Sequence, residues 1–510
     1  MTKNNEFERL TPEQAGISSL KVLEFLDRLK KTGIEVHSLM LLRHGKIFAE
    51  SWWAPYNSES RHIMFSFTKS LTSTAIGFAC QEGLMNLDDR LIDIFPDKIP
   101  ETPSENLKKC AIRHLLSMSC GHENEIENLG MGSSDWIKEF LSHEFKYEPG
   151  THFMYNTAGT NMLSAVITRK TGETLMAFLK PRLFDKLGIG DVPCYSLPDG
   201  VQVGGAGSRL KTEEMARFIQ FVANRGEWNG EQLLSSAWFD LATSKQIENA
   251  ETSVIPDWQQ GYGFQFWRCV PEGVFRADGA FGQFGIVCPK QDAVIVMTSA
   301  SSNFHCVLAT LWETLLPYFS QSPLPEDHES QTILSYVLSH NQLTPIYGTR
   351  SLTAKASYGG ATYIPDKKIS GGWADFIGGA GISSRGAFAG IISPYSNDDL
   401  TSVRIEMDDN SVRLIALVGD CEETLPISLE SRFNSFLLSG KVYGACGGWL
   451  SNEVFEFVVQ CAEAASGKRY FAVFSQDQLT LTAFSTMPDF GGLNDDREDK
   501  IIFNRKKSEN

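Results

Sequence analysis

The stretch SQSPLPEDHESQ, residues 320–331, separates two parts of the chain that follow different patterns. Its prolines and acids interrupt both helical and strand periodicity. Beyond it, SVRLIALV, EVFEFVVQCAEA, KRYFAVF and QLTLTAF are short, partly alternating runs separated by Gly, Asn and Asp, as in an antiparallel barrel or sandwich. Before it, helical and strand patterns mix. The pattern predicts an α+β domain over residues 1–320, a linker at 321–331 and a β-rich accessory domain, a lipocalin-like barrel or a sandwich, over 332–510. A chain of 510 residues with 42% hydrophobic residues can bury the cores this needs.

A formal net charge of -16 without a Lys/Arg-rich run argues against a nucleic acid or a membrane as partner. The opening MTKNNEFERLTPEQAG has no apolar h-region, and no run reaches the ~18 apolar residues of a spanning helix. The ten cysteines form no C-x-x-C pair, which fits reduced thiols in the cytoplasm. No H-E-x-x-H occurs, and Cys120 with His122 is too isolated for a ligand set, so neither a metal nor an organic cofactor is expected.

Within the first part, Val22, Leu23, Leu26 and Leu29 have helical spacing behind a Ser18 or Ser19 cap. VHSLMLL and IFAESWW read as two strands joined at Gly45. MFSFTKSLTS then opens a helix over residues 66 to about 82 and carries Ser66 three residues before Lys69. Two further Ser-x-x-Lys matches have structural readings. Ser18 to Lys21 is a cap with a solvated lysine, and Ser208 to Lys211 is a glycine-rich loop before the helix begun by Thr212.

A serine hydroxyl needs a neighbour that accepts its proton, and a lysine one helical turn later lies on the same face. Lys69 is followed by the small and apolar run SLTSTAIGFA, so its helix should be central, and burial would lower the lysine pKa.

MFSFTKSLTSTAIG resembles the first motif of the penicillin-recognising serine hydrolases, the family of class C β-lactamases, penicillin-binding proteins and related esterases, D-aminopeptidases and 6-aminohexanoate-dimer hydrolases. The resemblance implies a β-lactamase/transpeptidase-like domain, with an antiparallel sheet flanked by helices and a helical region. It also implies a Tyr-x-Asn or Ser-x-Asn motif, then Lys-Thr-Gly or a histidine equivalent. Tyr395-Ser396-Asn397 lies in a turn-like segment of the second part, and Lys170-Thr171-Gly172 ends a helical pattern, so both read as decoys. PGTHFMYNTAGTNMLSAVI is similar to the family's tyrosine segment. It nominates Tyr155, with Thr157 in the asparagine place. In FRADGAFGQFGIV, Ala277-Asp278-Gly279 takes the Lys-Thr-Gly place, and the N–H of Ala280 would pair with that of Ser66 as an oxyanion hole.

The resemblance implies a serine hydrolase acting through an acyl-enzyme on an ester or amide, whether peptide, D-amino-acid amide or lactam-like, with a small molecule or peptide as substrate. Ser66, Lys69 and Tyr155 would carry the chemistry. The altered second and third motifs suit the alternative, a penicillin-binding-like sensor with little turnover. An α/β-hydrolase is disfavoured because G-x-S-x-G is missing. With no cation at 277, Asp278 would either repel an anionic substrate and favour neutral or amine-bearing ones, or point into solvent or be satisfied by Arg276 and select nothing.

Overall fold

The structure is a computed structural model that describes residues 5–126, 135–369, 398–465, 467–486 and 499–506. Two compact units emerge, Met1–Ser51 with Ile63–Ser339, and Trp52–His62 with His340–Asn510.

The first unit is α+β. Helix α1 (Ser19–Lys31) is capped by the Ser18 hydroxyl, which accepts from the Leu20 N–H. Strands β1 (Glu35–Arg43) and β2 (Lys46–Trp52) form the expected hairpin. His44 and Gly45 join them with φ of 54° and 69°, the left-handed pair that a two-residue turn between twisted strands requires. Helices α2 (Thr68–Gln81), α3 (Thr157–Thr171) and α4 (Thr212–Ala223) follow. Strands β3 (Trp267–Arg268), β4 (Phe275–Gly279), β5 (Gln283–Cys288) and β6 (Ala293–Ala300) complete a six-stranded sheet of order β2-β1-β6-β5-β4-β3. Strands β5 and β6 are buried along their whole length. Helix α4 covers β6, β5 and β1, while α1 packs against α5 (His305–Thr314) and α6 (His328–Ser339).

The stretch read as a linker at 321–331 is tied to the first unit. The Leu324 N–H donates to the Glu13 carbonyl at 2.8 Å, and the Gln331 side-chain amide donates to the Glu13 carboxylate at 2.8 Å. Leu334 of α6 is buried, so the chain leaves this unit at Ser339, after the helix rather than before it.

In the second unit a short helix, α7 (Leu352–Tyr358), precedes ten strands: β7 (Thr362–Pro365), β8 (Leu400–Met407), β9 (Ser411–Val418), β10 (Cys421–Ser428), β11 (Asn434–Leu438), β12 (Lys441–Trp449), β13 (Val454–Cys461), β14 (Gly467–Phe474), β15 (Gln478–Ser485) and β16 (Asp499–Arg505). They run in the order β10-β9-β8-β7-β16-β15-β14-β13-β12-β11. Ser428 of β10 pairs with Cys446 of β12 and closes the sheet, so removing β11 from the ten strands leaves a nine-stranded barrel. Alternation fills it: Val412, Leu414, Ala416 and Val418 point in from β9, and Phe455, Phe457 and Val459 from β13. The first unit is the domain the resemblance implied, and the barrel is one of the two forms that alternation predicted for the second part.

Candidate active site

Ser66 does not lie in the helix proper. Phe65–Phe67 form a 3₁₀ turn and α2 begins at Thr68. Phe65 has φ of 46°, a region that bulky residues rarely adopt. From Ile63 to Ala79 every residue is buried except Ser66, which keeps partial access to solvent. The helix behind it is buried all round, and Lys69 is 1% exposed.

The Lys69 ammonium nitrogen has three polar neighbours: Ser66 Oγ at 3.0 Å, Thr157 Oγ1 at 3.3 Å and the Gly205 carbonyl at 2.7 Å. Burial lowers its pKa to about 7, against opposing pulls from Glu125 and Asp278. This geometry suits a neutral amine, whose two N–H bonds go to Gly205 and Thr157 and whose lone pair faces the Ser66 hydroxyl. Thr157 thus contacts the lysine directly.

Tyr155 is hydrogen-bonded to Ser66, and its ring centroid lies 4.9 Å from Lys69 Nζ. The ring stacks on Trp267 at 5.4 Å and meets Tyr262 edge-on at 6.3 Å. Burial pushes the phenol above its usual range, while the Ser66 hydrogen bond and the Arg276 charge act the other way. Asn156, next in sequence, caps α3 by accepting the Gly159 N–H at 2.9 Å, which fixes where the Tyr155 segment enters the helix.

Gly279 ends β4 in register with Gln283. A methyl built on Gly279 would overlap the Met64 carbonyl, so only glycine lets this strand approach the Ser66 turn. The turn Ala280–Gly282 follows, and Phe281 packs edge-on against Phe65 at 5.3 Å, tying it to the nucleophile turn. The Gln283 amide donates to the Ala280 carbonyl at 2.9 Å and to the Ser299 carbonyl at 2.8 Å, which orients the peptide after Ala280. Asp278 is 8% exposed and accepts from Arg276 Nε at 2.8 Å. It therefore enters the site as half of an ion pair, the Arg276 pairing that the sequence left open beside a lone anion.

Ser66, Lys69, Tyr155 and Thr157 thus converge, with Gly279 against the Ser66 turn. The other Ser-x-x-Lys matches do not join them as nucleophile and base. Ser18 caps α1 and Lys21 pairs with Glu24 at 2.8 Å. The Ser208 hydroxyl bonds Thr68 Oγ1 at 2.7 Å, behind the nucleophile turn, and Lys211 sits at the N-cap of α4. Lys170-Thr171-Gly172 is a helix end, with Gly172 at φ of 75°. Tyr395-Ser396-Asn397 lies outside the described residues.

Two contributors escaped sequence reasoning. The Gly205 carbonyl reaches Lys69 because Gly204 and Gly205 lie flush against α3, where a side chain on Gly205 would strike Thr157. The run GGAG was the signal. Glu125 is exposed and accepts the Thr157 N–H at 2.9 Å. Arg276, one of the partners the sequence offered Asp278, is fully buried beneath the Tyr155 wall. Among the described residues no group of three or more His, Cys, Asp or Glu is placed to hold a metal ion, and no helix is long and apolar enough to cross a membrane.

The family model that matches is Beta-lactamase, over residues 24–312. The chain is 22% identical over 299 residues to 6-aminohexanoate-dimer hydrolase from Paenarthrobacter ureafaciens, covering 54% of this chain and 74% of that protein. It is 28% identical over 156 residues to lovastatin esterase from Penicillium rubens, covering 26% and 38% respectively. Among solved structures, a putative β-lactamase from Bacteroides dorei superposes with a TM-score of 0.50 at 14% identity, over 58% of this chain and 99% of that one. With more than half of its length matched by the family model, and a sheet-and-helix unit of the β-lactamase/transpeptidase-like fold, this chain belongs to the β-lactamase family.

Proposed function

We propose that the protein is a serine hydrolase that cleaves an ester or amide through an acyl-enzyme on Ser66. The observation that carries this is the buried Lys69 amine, shifted to about 7 and 3.0 Å from Ser66 Oγ. Near neutral pH such an amine is substantially deprotonated and accepts the hydroxyl proton as Ser66 Oγ bonds to the carbonyl carbon. The developing oxyanion takes the N–H groups of Ser66 and Ala280. Tyr155, hydrogen-bonded to Ser66, passes the proton to the leaving group as the acyl C–O or C–N bond breaks, and water then releases the acid. Relatives named as an esterase and as a dimer hydrolase support the ester or amide class. Ten scattered cysteines with no C-x-x-C pair fit a reducing, cytoplasmic setting.

Intact-mass analysis and steady-state hydrolysis of an activated ester test the reading together. Turnover should proceed through a transient acyl adduct on Ser66, with kcat/KM rising through an ionisation near pH 7 as Lys69 loses its proton. A lasting adduct without turnover would mark a sensor instead.

Tyr155→Phe keeps the stack on Trp267 and removes only the hydroxyl. A drop of ~10²-fold in kcat is expected, with KM nearly unchanged. Wild-type kcat in this variant would leave proton transfer to Lys69 and water alone.

A further inference from the structure

We propose that the buried Arg276–Asp278 ion pair sets the pH at which the site becomes active, with Asp278 as the anion that acts on Lys69 and Tyr155 and Arg276 as the positioning residue that keeps it ionised. The inference rests on the reading of Ser66 as nucleophile and Lys69 as its base.

The strand itself suggests the role. Ala277 stands where the family resemblance calls for a lysine or histidine, yet β4 is not without a cation. Residues 276 and 278 share one face of the strand, because side chains alternate. Their side chains meet at 2.8 Å and are 0% and 7% exposed. Arg276 is in register with Trp267 on β3, whose ring stacks on Tyr155. Its guanidinium carbon lies 4.3 Å from the Trp258 ring centroid and 5.7 Å from that of Trp267. One terminal nitrogen donates to the Asp257 and Arg268 carbonyls at 2.9 and 3.1 Å. The cation is caged under the aromatic wall with its Nε on Asp278.

The charged and titratable groups around Lys69 and Tyr155 make the consequence definite. Glu125 approaches from the N-terminus of α3, where it holds the Thr157 N–H. Asp278 approaches from β4, Arg276 lies behind it, and Tyr262 and Cys269 are buried alongside. The Asp257 carboxylate is engaged by the Trp312 indole N–H and the Val270 N–H. Asp278 acts on Lys69 to hold its proton; burial raises the Asp278 carboxyl above its usual range, and Arg276 acts against that shift. A guanidinium keeps its charge at any working pH, so Arg276 favours the ionised Asp278, and removing Asp278 takes away the anion that favours protonated Lys69.

The test follows the pH dependence of Ser66 phosphonylation by a fluorophosphonate, alongside kcat/KM for an activated ester. Asp278→Asn keeps the shape, and Asp278→Thr is a second variant without the charge. In each the midpoint of the rising limb should move down by about one pH unit, because protonated Lys69 loses its neighbouring carboxylate. Arg276→Met leaves Asp278 buried without its cation, which favours the neutral carboxyl, and should move the midpoint the same way. Unchanged midpoints in both Asp278 variants, with only a fall in melting temperature, would make the pair a structural strut and overturn the proposal. A wild-type protein whose Ser66 is not labelled would instead overturn the nucleophile assignment, and this inference with it.

Discussion

Replacing Ser66 with alanine is expected to lower kcat for an activated ester by ~10³-fold or more, the scale at which loss of a covalent nucleophile leaves only binding and oxyanion stabilisation. The buried surroundings make the substitution a clean one. Ser66 keeps partial solvent access in an otherwise buried run, and alanine preserves the 3₁₀ turn while removing the atom that faces Lys69. Ser18→Ala is the matched control, since it removes another Ser-x-x-Lys serine. That hydroxyl caps α1, so its loss should cost about 1 kcal/mol of stability and leave the rate within about twofold. Both kcat and the mass of the acyl adduct should be read. A Ser66→Ala protein with the wild-type rate would remove the nucleophile assignment.

Side-chain identity and order carried much of the site. Ser66, Lys69, Tyr155 and Thr157 are read from motifs, and the structure brings them together because α2 and α3 pack side by side with the Tyr155 segment entering at the N-terminus of α3. Motif order also nominated Ala277-Asp278-Gly279, and the structure puts them at the end of β4 with Gly279 in register with Gln283. The all-β character of the second part was legible from alternation, which left barrel and sandwich open until the Ser428–Cys446 pairing closed the sheet.

What escaped has a common physical origin. The strongest contact of Lys69, the Gly205 carbonyl, is 136 residues away and is made by backbone, which leaves no mark in side-chain identity. The Arg276–Asp278 pairing was left open rather than missed, because a spacing of two means a shared face on a strand and not on a helix, and so depends on β4 being extended. Prolines and acids in SQSPLPEDHESQ do mark a break in secondary structure. The unit boundary nevertheless lies beyond α6, because contacts to Glu13 and burial of Leu334 are tertiary facts. The start of α2 moved for a local reason, the left-handed φ of Phe65, which turns Ser66 out of the helix.

The second large effect is expected at a residue with no side chain. Gly279→Val should reduce kcat by ~10²–10³-fold, the range seen when one oxyanion donor is lost, with a smaller effect on KM. A Cβ at this position would overlap the Met64 carbonyl oxygen and crowd Gln283. Either the end of β4 withdraws from the Ser66 turn or the turn itself yields. Withdrawal would carry Ala280 away from Ser66, while the Gln283 anchor on the Ala280 carbonyl and the Phe281–Phe65 contact would lose their register. Movement of the turn would displace Ser66 from Lys69 and Tyr155. Each route separates the two N–H groups that are to share the oxyanion, and neither removes a group that binds the rest of the substrate. Melting temperature measured in parallel separates loss of fold from loss of rate, since a folded variant with depressed kcat is the diagnostic result. If folded Gly279→Val keeps kcat within about twofold of wild type, the approach of β4 to the Ser66 turn does not build the oxyanion site, and the assignment of Ala280 fails.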